Sequence, residues 1–328
     1  MDINNSTFFH GYNHLYHFHK ANLIYYNYHN LSHYMESALP ELYGDKLKYI
    51  YHGDEEEFYK RTLLLDLRST YFHSIETLFS LIAVLHEYSE SLLNDPESIN
   101  FFDEITIYDQ RKLYDEIKSY KDVQTSLDFL EARIGESDWS IGRFIFYPAL
   151  RPPDEVYGEY LKCVNDSVLS VKTALQLFAH DFGDRTEYNS YKHSLRVLDA
   201  FKNVYILDPE SRQMLEMDLS ETLTYPVWDK KSRTMRLQTK QHDFERDHKM
   251  TLLAASLIRS IVTNRRIAYN VEIKGPDVVP QQMWSAEAIA WHAAPNSNVK
   301  VEPLSIEEFE RQNGIKVHLD RSRDHPLQ

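Results

Sequence analysis

Between residues 157 and 178 the apolar side chains Tyr157, Leu161, Val164, Val168, Val171, Leu175 and Phe178 recur at alternating steps of four and three. That is the repeat of a helix packed along a seam against its neighbours. A second stretch obeys the same rule. At 100° per residue, Leu64, Leu67, Tyr71, Ile75, Leu78, Ile82 and Leu85 fall within about 60° of one line. Long one-sided helices cannot bury their faces alone, so the spacing predicts a mainly α-helical bundle.

Local signals place the elements. The acidic run 54–57 suits a helix start, and Asn94-Asp95-Pro96 ends a helix predicted over 57–93. A less regular helical stretch runs over 104–134 to Gly135. Residues 136–153, with Trp139, Phe144, Phe146, Tyr147 and three prolines, read as an apolar loop over the bundle. The seam helix closes at Gly183, and Asp184 followed by Glu187 resembles a capping box for a helix through about Val204. Beyond 205 the segments VYIL, TLTYPVW and TMRLQTK read as short antiparallel strands, so a small β-hairpin element is expected in the C-terminal third. A returning helix follows over 243–268, and Ser305 with Glu308 suggests a short helix ending at Gly314, with IKVHL beyond it as a strand. The organisation is thus an aromatic and His-rich arm (1–53), a helical bundle (54–205), a hairpin plus returning helix (206–270) and an irregular extension (271–328).

The arm is nearly uncharged until Glu36 and carries Phe8, Phe9, Tyr12, Tyr16, Phe18, Tyr25, Tyr26 and Tyr28. Such a segment lacks the composition of a disordered tail and is expected to pack on the main body.

Composition excludes several function classes. Only 9 glycines in 328 residues leave little material for phosphate-cradling loops, so no nucleotide cofactor is expected. Gly-x-Ser-x-Gly, Walker and His-Glu-x-x-His patterns are absent. No apolar run suits a membrane span and the opening residues do not form a signal peptide, so a cytoplasmic protein is expected. The single Cys163, near the seam, is expected to be a buried thiol. Against 50 acidic residues stand 36 Lys and Arg, a net charge of −14, which opposes broad nucleic-acid affinity. Lys230, Lys231, Arg233 and Arg236 form a local basic stretch on the hairpin.

Two constellations stand out. In 185–199 the residues Arg185, Asn189, His193 and Arg196 share one helical stripe, with Lys192 beside it, apart from the apolar face of Tyr188, Tyr191, Leu195 and Leu198. Guanidiniums, an amide and an imidazole in line can grip a phosphate, with His193 as acid or base. On the first long helix Arg68 lies about 40° from the apolar line, so its charge points partly inward and needs a partner.

Arg68-Ser69-Thr70-Tyr71-Phe72-His73, together with NSYKHSLR, resembles the HEPN superfamily of helical-bundle proteins over residues 57–205. In that superfamily an Arg-x(4 to 6)-His motif marks metal-independent RNA cleavage, commonly in toxins and phage-defence proteins that assemble the site by dimerisation. The resemblance implies RNA as a partner, no cofactor, Arg68 as the phosphate-stabilising cation and His73 as the acid/base group. Five residues turn a helix by about 140°, so the two side chains leave it in different directions.

Two other functions are open. One is a non-enzymatic oligomeric or partner-binding scaffold using the aromatic arm, or Trp284 and Trp291 on one helical face. The other is metal binding by His10, His14 and His17, or by His29 and His33, at helical spacing.

Overall fold

The computed structural model describes residues 4–38, 41, 55–121, 127–147, 153–183, 187–188, 190, 203–207, 214–218, 222–229, 233–269, 271, 283–295, 301–304 and 311. The fold is mainly α, a helical bundle with a small antiparallel β element in the C-terminal third. Among the described residues no helix is long and apolar enough to cross a membrane. Contacts divide the chain into two units, Met1–Ser194 with Phe244–Asn296, and Leu195–Asp243 with Ser297–Gln328.

Two helices form the spine of the first unit: α3 (Glu55–Glu87) and α9 (Phe244–Ala268), packed on each other and on α2 (Tyr16–His29). The predicted line of α3, from Leu64 to Leu85, is buried throughout. Ala21, Ile24, Leu64, Leu67 and Phe244 close a cluster where these three helices meet, with Tyr25 and Tyr28 against it. The part of the aromatic arm carried by α2 therefore packs on the bundle, as its composition requires.

The seam helix is α8 (Asp154–Phe182), and Val164, Val168, Val171, Leu175 and Phe178 are all buried. It starts with Asp154 and Glu155 in its first turn and stops at Gly183. Cys163 departs from expectation. It is exposed, because its position lies one residue off the seam.

Shorter helices complete the unit: α1 (Asn5–Gly11), α4 (Ser89–Asn94), α5 (Phe101–Ile107), α6 (Gln110–Ser119), α7 (Ile141–Phe146) and α10 (Ala286–Ala293). They correct three expected boundaries. The helix predicted over 57–93 breaks at Tyr88, between α3 and α4. The stretch 104–134 is not one helix: α5 and α6 are separated where the side chain of Asp109 accepts the Arg111 amide, and a 3₁₀ turn covers Asp128–Glu131. The loop expected over 136–153 contains α7, which Ser140 caps by accepting the Arg143 amide.

One tripeptide ties the helices together. Asn264 donates Nδ2 to the carbonyls of Phe144 (2.7 Å) and Ile145 (3.2 Å), and Arg265 donates Nη2 to Phe144 (2.8 Å), at the C-terminal end of α7. Arg266 donates Nε to the Phe9 carbonyl at 2.8 Å, near the end of α1. Helix ends carry orphan carbonyls and a partial negative charge, so cationic donors serve there.

In the second unit β1 (Asn203–Leu207), β2 (Met214–Asp218) and β5 (Val301–Leu304) form an antiparallel sheet in the order β1-β2-β5. The strands β3 (Thr222–Asp229) and β4 (Thr234–Gln241) form a hairpin in register Asp229↔Thr234. Arg233 and Arg236 are exposed on that hairpin. Lys230 and Lys231 lie outside the described residues, as does the IKVHL strand; of the helix expected to end at Gly314 only Arg311 is described, and it is helical.

Candidate functional site

Arg68 is drawn inward by its place on α3, and it is 6 % exposed. Its fork is held from two directions. Nε and Nη2 both donate to Glu187 Oε1, at 3.0 and 2.9 Å, and Nη1 donates to Asp247 Oδ1 at 2.6 Å. Glu187 and Asp247 are buried as well. The guanidinium also lies over the Phe72 ring, 4.6 Å from its centroid. The inward-pointing charge thus has its partners, one from the segment after α8 and one from α9.

The network extends along α3. Tyr71 donates its hydroxyl to Asp181 Oδ2 at 2.7 Å, and Arg246 pairs with the same oxygen at 2.8 Å. Burial, with the Asp181 charge beside it, holds the Tyr71 hydroxyl well above the ordinary tyrosine range, so it acts as a donor and not as a base. Glu76 accepts from Tyr114 at 2.9 Å and from Tyr188 at 2.6 Å. Tyr188 is raised too, by burial and then by its bond to Glu76. Two guanidiniums meet three carboxylates in this region, and the tyrosine hydroxyls supply further donors.

Desolvation offsets much of the attraction between buried charges, so the network adds less net stability than its short bonds suggest. Its donors are aimed at carboxylates of the same chain.

His73 is half-buried, on another side of α3 from Arg68, with its ring edge-on to Tyr188 at 6.1 Å. The structure therefore places Arg68 and His73 near one segment, residues 187–188, but in separate surroundings. Arg185, Asn189, Lys192, His193 and Arg196 lie outside the described residues.

The metal-binding expectation meets a break in the backbone. His10 belongs to α1 and His17 to α2, with turns at His14 and Leu15 between them, so the four-and-three spacing does not run along one helix. Asn30 likewise ends α2 between His29 and His33. His29 instead meets Glu245 at 3.1 Å, and His17 meets Thr77 Oγ1 at 3.2 Å. Among the described residues no group of three or more His, Cys, Asp or Glu side chains is arranged to hold a metal. The tryptophan pair separates: Trp284 is buried, whereas Trp291 is exposed on α10 with the Lys249 ammonium over its ring at 4.9 Å.

Sequence reading missed Asp247, Asp181, Tyr71 and Glu76 as members of one network. A signal was present for Asp247. It sits on the line of Ala254 and Ile258, and a carboxylate on the apolar line of a helix needs a buried partner, as Arg68 does. Comparison with protein-family models, curated proteins and solved structures gives no match to this chain.

Proposed function

We propose that this protein is a non-catalytic association module whose helical unit binds a second copy of the chain through the outer face of α2. The observation that carries the reading is a stripe on that helix. Tyr16, His19, Leu23 and Tyr26, at steps of three, four and three, are exposed, at 51 % for Tyr16, 61 % for Leu23 and 63 % for Tyr26. The opposite face, with His17, Ala21 and Ile24, is already buried in the bundle. A helix apolar on two sides has a second surface to cover.

Charge favours self-association at this place. The chain carries −14, so two copies repel over most of their surfaces, yet α2 holds a single formal charge, Lys20, among its fourteen residues. Aromatic, uncharged positions are the usual anchors of an interface core. The internal pairing of Arg68 with Glu187 and Asp247 adds support, because a guanidinium held by two buried carboxylates is not presented to a phosphate.

Sedimentation velocity across a range of concentrations tests the reading. A dimer is expected for the full chain, and Leu23→Glu should convert it to a folded monomer. A monomer at every concentration, or a dimer indifferent to Leu23→Glu, rejects the proposed face. Cleavage of structured RNA that survives chelator and disappears in His73→Ala would overturn the non-catalytic part and return weight to the HEPN resemblance.

A further inference from the structure

Arg265 is 4 % exposed, and among the described residues no carboxylate pairs with it. Its Nη2 donates to the Phe144 carbonyl, its Nε has no partner, and its guanidinium stacks over the Phe144 ring at 4.2 Å. Burial pushes the group down to about 10, so it is still a cation at neutral pH. A buried charge without a counter-charge is costly, and a chain normally supplies one.

Beside Arg265 lies an open cavity of about 250 Å³, walled by Leu92, Leu93, Trp139, Phe144, Ile267 and the Asn264–Arg265 pair. Its lining is therefore mostly apolar, with Arg265 as the one charged residue in the wall among the described residues. The cavity exceeds the roughly 150 Å³ that accommodates a benzene ring in a protein interior, and it falls below the usual size of drug-like sites.

We propose that this cavity binds a small organic carboxylate, aromatic or short aliphatic, whose carboxylate pairs with the Arg265 guanidinium while its apolar body lies among Leu92, Leu93, Trp139 and Ile267. The planar fork of an arginine matches the two oxygens of a carboxylate. The proposal goes beyond the association reading and does not rest on it, since the cavity and α2 are different parts of the helical unit.

Benzoate and hexanoate are the probes, with benzamide and hexanamide as neutral counterparts, titrated into the full chain by calorimetry. The acids are expected to bind about tenfold or more tightly than the amides, the difference made by a charge-assisted hydrogen bond. Arg265→Met should abolish that preference. Because Arg265 also holds α7, a second variant leaves it in place: Leu93→Trp, at the half-buried wall, should block both acids without unfolding the chain. Equal affinity for acids and amides, or benzoate binding unchanged in Leu93→Trp, overturns the proposal.

Discussion

Arg68 and Arg265 are both buried in the helical unit, and both touch α9, yet one is enclosed by acids and the other is not. Asp247, which holds Arg68, and Arg265 itself lie eighteen residues apart on α9. At 100° per residue this is five full turns, so the two charges stand on one line of the helix about 27 Å apart. At the Asp247 end the charges of α3, α9 and the segment at Glu187 satisfy each other. At the Arg265 end a cation meets a helix-terminal carbonyl, an aromatic ring and a cavity. Burial alone does not say whether a charge is structural; the presence of a counter-charge does.

That contrast is broken most directly by removing each side chain in turn. Arg68→Met strands two buried carboxylates and should cost about 3–5 kcal/mol in urea unfolding, whereas Arg265→Met strands none and should cost about 1 kcal/mol. The Phe144 carbonyl keeps its bond from Asn264 in the second variant. Replacing Arg68, Glu187 and Asp247 together by apolar residues should recover much of the first loss. Equal costs for the two single variants would erase the distinction.

A third buried group, His17, sharpens it from the neutral side. Burial, then the charges of His73 and Lys20, lower its pKa to about 4. The folded chain therefore binds fewer protons at this site than the unfolded chain between pH 6.5 and 4. The stability it contributes is fully present above about 6.5 and is lost as pH falls towards 4, a change on the order of 3 kcal/mol. Unfolding measured across that window should show a shallower pH slope in His17→Leu than in the wild type. Identical slopes would mean that His17 is not held neutral by the fold.

Much of the architecture was legible because it rests on periodicity. The lines of α3 and α8, the returning helix α9 and the β3–β4 hairpin all follow from spacing of apolar side chains and turn residues. Short helices were harder. α7 lies among aromatics and prolines, and its six residues are too few to show a period, so its Ser140 cap was the signal to use. Strands β2 and β5 pair with each other although neither carries a clear alternation: the sequences MLEMD and VEPL gain their state from the partner strand. For the buried network, Arg68 announced itself by its angle on the helix, but the identity of its partners did not. Glu187 is 119 residues away and Asp247 179, and no local pattern joins positions so distant.

Smaller effects separate the cavity end from the paired end. Gly142 lets α7 lie against α8 and the 3₁₀ turn: a Cβ there would stand 2.6 Å from Val168 Cγ1 and 2.9 Å from the Leu130 carbonyl oxygen. The first clash can be eased by a rotamer change, the second only by backbone movement. Gly142→Ala should cost about 2 kcal/mol. By shifting α7 it should also move the Phe144 carbonyl away from Arg265 and weaken benzoate binding. The exposed stripe of Tyr16, His19, Leu23 and Tyr26 belongs to α2 alone, so α2 self-association should be unchanged in sedimentation.

Ser140→Ala gives the smallest expected change and the cleanest control. The serine hydroxyl oxygen accepts the Arg143 amide at the start of α7, and losing such a cap costs about 1 kcal/mol. The effect belongs to the first turn. Phe144 and Ile145, at the other end, remain held by Asn264 and Arg265. Urea unfolding should therefore record the loss while calorimetry with benzoate gives the wild-type affinity. If affinity fell in step with stability for both Ser140→Ala and Gly142→Ala, the cavity would respond to general loosening of α7 and not to the position of one carbonyl beside an uncompensated guanidinium.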